Sequence, residues 1–373
     1  MNVPLSILDL APISEGSNAA TALRNTVDLA QHAEQWGYER FWIAEHHFAA
    51  VASSSPAVLI GQVAAATDRI RVGAAAVQLG QTTAIAVVES FGMLDAFHPG
   101  RIDLGLGRSG QRRREAQPKK DDRPKPPLPT EWREVDGVVV PPPFDLAALM
   151  SNRAVRARMS ILNQPQAVIP DFAQQVDDIL AMLAGSYHVD GFDAHAVPGE
   201  GAALMPWIFG SSKGQSARTA GARGLPFVAS YHITPATALD AVEAYRNAFT
   251  PSAYLTEPYV VVSADVVVAD DSATARHLAS SYGHWVHSIR TGEGAMPYPD
   301  PDWVAPLSDE QQALVADRTA TQFVGDAEQV AEGLARLQRV TRADELVITS
   351  VTHRHADRLR SHELIAKGWG MTG

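Results

Sequence analysis

The run Glu45-His46-His47-Phe48 sets two imidazoles side by side, and a neutral imidazole can take up or hold a proton near neutral pH. On an extended segment His46 and His47 point to opposite sides, so they cannot both ligate one metal from a strand end. The chain has no cysteine and no H-x-x-x-H set within a clear helix, so no metal site is predicted. Proton chemistry at His46 is the functional reading, and a histidine bonded to loop backbone is the plain one. A second run, Ser211-Ser212-Lys213-Gly214-Gln215-Ser216, combines hydroxyls, a glycine and a cation between a strand-like and a helix-like segment. Backbone N–H groups at such a helix start point at an anion, and the helix dipole favours negative charge. That suits a cofactor phosphate, where the plain alternative is a serine N-cap. Arg108 follows another strand-like run and can add a second cation. Gly73-Ala74-Ala75-Ala76 offers small residues, either to let a flat group approach or to fill a tight core. Gln78, Tyr231 and His232 also fall at strand ends.

These residues need a scaffold, and the chain repeats one unit. Strand-like runs at Leu5–Ala11, Arg40–Ala44, Ile70–Leu79 and Arg101–Gly107 alternate with helical periodicity over Ala19–Trp36, Pro56–Thr67 and Ala84–Phe97. After a break the rhythm resumes with helix Phe172–Leu183, strand Trp207–Gly210, helix Gln215–Arg223, strand Phe227–Tyr231 and helix Pro235–Phe249. Strand Tyr259–Val268, helix Ala273–Arg290, helix Ala327–Arg339, strand Glu345–Val351 and helix Asp357–Lys367 complete it. Alternating strands and helices argue for a parallel sheet, and eight strands favour a closed (β/α)₈ barrel, the TIM barrel, spanning 1–373 as one domain. In that fold the site lies at the C-terminal strand ends, where the polar residues above fall.

Two breaks interrupt the rhythm. Residues 108–170, after strand four, form a long insertion; within it Arg112–Lys125 carries seven Lys or Arg against Glu115, Asp121 and Asp122. Such a composition suits a solvated excursion, or else a lid or a docking arm for an anionic partner. Residues 290–306, after strand seven, form the second break, rich in Gly and Pro and on composition a surface loop. With 31 basic and 42 acidic residues the formal charge is −11, which argues against nucleic acid as a partner. The N-terminus lacks a signal-peptide layout and no apolar run is long enough to span a bilayer, so a cytoplasmic protein without a membrane partner is expected.

The chain resembles the luciferase-like monooxygenases. The resemblance rests on Glu45-His46-His47-Phe48, Thr67-Asp68-Arg69-Ile70-Arg71-Val72-Gly73, Leu94-Asp95, Gly100-Arg101, Leu104-Gly105-Leu106-Gly107-Arg108, Arg223-Gly224-Leu225-Pro226 and Gly283-His284-Trp285, in collinear order. It implies a flavin-dependent TIM-barrel enzyme that takes reduced FMN from a separate NAD(P)H-dependent reductase. With dioxygen it would form a C4a-(hydro)peroxyflavin that oxygenates a small organic substrate. By the same resemblance His46 is catalytic, Ala75–Ala76 forms a cis peptide beside the flavin, and Arg108 lies near its phosphate. Ser211, Ser212, Lys213, Gly214 and Ser216 make up the phosphate-binding loop, residues 290–306 form a mobile, lid-like loop, and a homodimer is implied. Gln78, Tyr231, His232, Trp285 and Arg290 are candidates for the substrate pocket or lid; Tyr298 and Trp303 could wall it too. Ser212 replaces a luciferase glutamate and Gly107 its reactive cysteine, so luminescence is not implied. Two other readings stand: hydride transfer with the deazaflavin F420 on the same barrel, and a non-catalytic flavin-binding protein.

Overall fold

The computed structural model describes residues 2–108, 129–164 and 166–371; the basic stretch Arg112–Lys125 lies outside the described residues. Eight strands build the barrel: β1 (Leu5–Asp9), β2 (Arg40–Ile43), β3 (Arg71–Ala74), β4 (Ile102–Gly107), β5 (Met205–Gly210), β6 (Phe227–Ala229), β7 (Val260–Val268) and β8 (Glu345–Thr349). Each pairs in parallel with the next, and β8 pairs with β1 through Leu346 opposite Leu5, so the sheet closes. Expected strand Ile70–Leu79 is broken: beyond β3 the chain resumes at Val77–Gln78, again beside β4.

Eight helices, one following each strand, surround the barrel: α1 (Ala19–Trp36), α2 (Pro56–Ala65), α3 (Ala84–Phe97), α4 (Phe172–Leu183), α5 (Gln215–Ala222), α6 (Pro235–Ala248), α7 (Ala327–Thr341) and α8 (His355–Gly368). Local chemistry fixes their ends. Asn18 caps α1 by accepting from the Thr21 N–H, and Gly37 closes it with φ 83°, a conformation that costs glycine little. Pro56 opens α2, where its missing N–H has no partner to lose. The α1 stripe Ala22, Thr26, Leu29, Ala30 and Ala33 is buried, the spacing of one helical face. That face and its counterparts pack on outward strand residues such as Ile7, Phe41, Ile43, Val72 and Leu104. Each large aliphatic side chain so buried contributes about 1.5–3 kcal/mol.

Inside the barrel the alternating residues stack in layers. At the N-terminal end Arg40 pairs with Glu345 and Asp103, Arg71 grips Asp103 through two nitrogens, and Tyr259 and Ser6 donate to Glu345. Above this plug Trp42 packs edge-on against Trp207 and Phe209. Gly73 makes room for that ring: a Cβ there would lie 2.5 Å from Trp42. At Gly73, then, the tight-core reading holds and the space belongs to the protein.

The described part of the insertion crosses the C-terminal face. A hairpin, Arg133–Val135 with Val138–Val140, turns at Asp136-Gly137, both with positive φ. It is anchored beside β6, where the Tyr231 hydroxyl donates to Val139 O, and Gly137 sits against Arg336 of α7. The chain then crosses through helices Leu146–Ser151 and Arg153–Ile161 to the segment after β7. There Asn152 donates to Thr291 O and Arg158 to Gly292 O. That segment is tied to the loops after β1 and β2 by backbone bonds from Ala50 to Ala295 O and between Tyr298 and Ile13 and Glu15. The expected helix Ala273–Arg290 is two helices, Ser272–Ala279 and Tyr282–Arg290, and a further helix, Asp309–Thr319, follows.

Candidate active site

His46 and His47 leave β2 with different fates. The Glu45 carboxylate contacts His47 Nε2 at 3.0 Å and accepts from the Gln78 N–H at 3.0 Å; the Gln78 side chain donates to Glu45 O. Glu45 thus ties the end of β2 to the residues after the β3 break, with Gln78 a bracing group. The His46 backbone N–H donates to Ser53 O, but its ring has no hydrogen-bond partner among the described residues. The side chain reaches solvent at the C-terminal end of β2, with protein packed around it. Burial, then the neighbouring His47, pushes its pKa down to about 4. At neutral pH His46 is therefore an uncharged imidazole with both nitrogens available.

His232 follows β6 and turns inward. Its Nδ1 lies 2.5 Å from Ser263 Oγ of β7, and burial, Arg318 and His46 together bring its pKa to about 3. Tyr231 points the other way, buried among barrel–helix contacts with its hydroxyl on Val139, so the structure removes it from the mouth. Two residues along β7 from Ser263, Asp265 accepts from Tyr282 and Arg318, and Arg318 donates to the Tyr282 hydroxyl at 2.6 Å. Trp285 and Tyr298 are buried beside this group, walling the interior. Trp303 is 85% exposed and lines nothing. Arg290 is buried against Asp317, at 2.5 and 2.7 Å, with its guanidinium over the Phe144 ring. It is a structural clamp, its guanidinium taken up by Asp317, Leu314 O and the Phe144 ring.

On the β3–β4 side the Ala75–Ala76 peptide is cis and both residues are half-exposed. A Cβ on Gly105 would lie 1.8 Å from Ala74 O, so β4 can approach this segment only as glycine. At the far side of β4, Arg108 Nη1 donates to Gln215 Oε1 at 3.2 Å. Helix α5 begins there with Gly214 as N-cap and no side-chain cap, so among the described residues no side chain caps its first N–H groups. A Cβ on Gly214 would come within 3.2 Å of Ser212 Oγ and 3.8 Å of Arg108 Nη2. Arg108, Ser212 and Gly214 thus form a cradle that suits a phosphate, with Ser211 held by Thr234 and Thr237. Ser216 is buried against Gly210. Lys213 turns outward, 75% exposed, toward Asp240 at 3.7 Å, so Arg108 is the cation of the cradle. Among the described residues no three His, Asp or Glu side chains are placed to hold a metal, and no helix is long and apolar enough to cross a membrane.

The family model described as luciferase-like monooxygenase matches residues 3–126 and 163–343. The chain belongs to the luciferase-like monooxygenase family. As a member it is an oxidoreductase, similar to the YvbT protein of Bacillus subtilis (37% identical, 98% of this chain and 96% of that one). It is also similar to the luciferase-like monooxygenase of Escherichia coli K12 (34% identical, covering 97% and 96%). An N-acetyl-S-alkylcysteine monooxygenase of Bacillus subtilis matches over 108 residues at 49% identity, 29% of this chain and 32% of that one. Among solved structures apo-MsnO8 superposes with TM-score 0.77 at 27% identity, covering 99% and 98%. An FMN complex of the oxygenating constituent of 3,6-diketocamphane monooxygenase (TM-score 0.59, 17% identical, covering 98% and 97%) shares the fold. So does an F420-dependent secondary alcohol dehydrogenase (TM-score 0.59, 13% identical, covering 99% of each).

The residues missed in the sequence are Glu45 as a brace, Gln215, Ser263, Asp265, Tyr282 and Arg318. A signal existed for two of them. In Val260–Val268 the polar residues are Ser263 and Asp265, two apart and so on one face.

Proposed function

We propose that this luciferase-like oxidoreductase is a monooxygenase that uses reduced FMN and dioxygen to oxygenate a small organic substrate. The observation that carries the reading is His46: held toward the neutral form, without a hydrogen-bond partner for its ring among the described residues, and placed at the C-terminal end of β2 near enough to His232 to influence it. When bound, reduced flavin supplies the two electrons with which one oxygen atom enters the substrate and the other leaves as water. The chain's own residues then have distinct tasks. Ser212, the N–H groups after Gly214 and Arg108 hold the phosphate; the Ala75–Ala76 segment supports the ring; His46 holds or passes a proton at a ring nitrogen. The cap bearing Trp285 and Tyr298 keeps water out.

In this reading the reduced flavin comes from a separate NAD(P)H-dependent reductase in the cytoplasm, and the enzyme is a homodimer. Support for the dimer is the apolar side chains left exposed on α2 and α3, with Val58, Met93 and Phe97 68, 54 and 76% exposed. Thioethers of N-acetylcysteine, the substrate class in one relative's name, are the first compounds to assay. The test is anaerobic binding of reduced FMN and of reduced F420, each followed by mixing with oxygen in a stopped-flow spectrometer, with wild type and His46→Ala. Tight reduced-FMN binding, and substrate-dependent oxygen uptake that His46→Ala abolishes while still binding flavin, is the expected result. Preference for F420 with no oxygen uptake overturns the reaction and leaves the barrel.

A further inference from the structure

The cations around the mouth divide into two groups. Arg290 is paired with Asp317, Arg318 with Asp265 and Tyr282, and Lys213 faces Asp240; Arg108 belongs to the phosphate cradle. Arg158 differs from all of these. It lies on the insertion helix Arg153–Ile161, half-buried, and its one hydrogen bond runs from Nη1 to the neutral Gly292 O at 3.0 Å. Among the described residues no carboxylate pairs with it. A guanidinium has five donors, and among the described residues one carbonyl answers it, so most of that capacity is open to a ligand or to water.

Its position is set by the loops it bridges. Gly294, with φ 88°, separates Phe48 from Arg158: a Cβ there would lie 2.8 Å from Phe48 O and 3.3 Å from Arg158 Nη1. Phe48 is two residues from His46 and half-exposed. Arg158 therefore stands beside the loop that leaves β2, with its Nη1 and the carbonyl of Phe48, two residues along the chain from His46, on either side of Gly294.

We propose that Arg158 is the specificity-determining residue of the site and reads a carboxylate on the substrate, making the substrate class small organic anions with the oxidisable group held toward His46. The inference rests on the monooxygenase reading. A planar guanidinium suits a carboxylate through two parallel hydrogen bonds, whereas a lysine offers a point charge.

The test pairs N-acetyl-S-methylcysteine with its methyl ester, which differs in that charge, on wild type, Arg158→Lys and Arg158→Met; the methionine keeps apolar bulk where the arginine stem packs. Loss of a charged hydrogen bond predicts that Arg158→Met raises KM for the acid about 10- to 100-fold relative to the ester, that Arg158→Lys retains part of the preference, and that the thermal midpoint stays in place. Equilibrium binding of both compounds without flavin, followed by tryptophan fluorescence, should show the same acid-over-ester ratio and its loss. A wild type without acid preference in either measurement, or a variant that loses acid and ester equally, overturns the role of Arg158. If reduced FMN binds and oxygen is consumed, that failure leaves the monooxygenase reading intact. If acid preference is present in binding but reduced FMN is not bound, the monooxygenase reading fails instead.

Discussion

Replacing Gly105 by alanine should damage this protein far more than the same change two residues later at Gly107, although both face the barrel interior on β4. A methyl group at Gly105 would lie 1.8 Å from Ala74 O and 2.7 Å from the Phe209 ring. A comfortable carbon–oxygen contact is about 3.3 Å, so the end of β3 must retreat by about 1.5 Å, taking Ala75 and Ala76 with it. At Gly107 the new methyl would meet Ala76 Cβ at 3.1 Å and Val77 O at 3.5 Å, which a shift of a few tenths of an ångström relieves. Overpacking of a well-filled core costs about 1–3 kcal/mol. Gly105→Ala belongs at or above the top of that range, and Gly107→Ala below about 1 kcal/mol. Urea unfolding followed by far-ultraviolet circular dichroism measures the first effect. FMN fluorescence titration measures the second, where Gly105→Ala should weaken binding at least tenfold and Gly107→Ala only a few-fold. Equal unfolding midpoints for the two variants, or a Gly105→Ala protein that unfolds and binds flavin like wild type, would refute the geometry.

Acid should destabilise the fold through His362, which is buried and whose pKa is brought to about 3, first by burial and then by Arg358 and His355. The unfolded chain binds this proton from about pH 6.5 downward while the folded chain refuses it until about pH 3, so stability is complete above pH 6.5 and is lost as pH falls between these values. His362→Phe should flatten the decline in urea midpoint between pH 7 and 5, and an unchanged slope would count against it. Arg290→Met leaves the partly buried Asp317 carboxylate unpaired and should cost about 1–3 kcal/mol in urea unfolding, with Arg290→Met/Asp317→Leu recovering most of that; a double variant no better than the single one would speak against a desolvation cause. Met93→Lys/Phe97→Lys should shift sedimentation from dimer toward monomer, and a wild type that sediments as a monomer would remove the dimer from the proposal.

The barrel was legible because its signals are local. Asn18 and Gly37 bracket α1, and Thr83 caps α3 through Ala86 N, so those spans were readable from the residues at their ends. Helix Asp309–Thr319 was not read because it buries Val315 and little else, and its apolar stripe is too thin to show. Its capping box, Ser308 with Gln311, was the available sign. The Asp136-Gly137 and Asp190-Gly191 turns likewise announced two hairpins. That His46, Arg108 and Ser212–Gly214 follow β2, β4 and β5 was legible from the residues around them. Arg290, Lys213 and Tyr231 were misplaced for another reason. Their partners, Asp317, Asp240 and Val139, come from elsewhere in the chain, and only tertiary packing decides which way such side chains turn.

The insertion leaves the barrel at Arg108 and rejoins it at Asp171, the N-cap of α4, and one side chain meets both points. Gln215 accepts from Arg108 through Oε1 and donates to Asp171 through Nε2 at 2.7 Å. Gln215 is therefore a clasp, closing a detour of some sixty residues into a ring at the foot of the phosphate cradle. Because closing a loop costs only slowly more as the loop lengthens, the detour can be shortened, extended or exchanged while the clasp keeps the cradle in register. On the proposed reading, substrate choice and cofactor grip become separable parts, and a graft from a relative between Arg108 and Asp171 should leave the barrel beneath it intact.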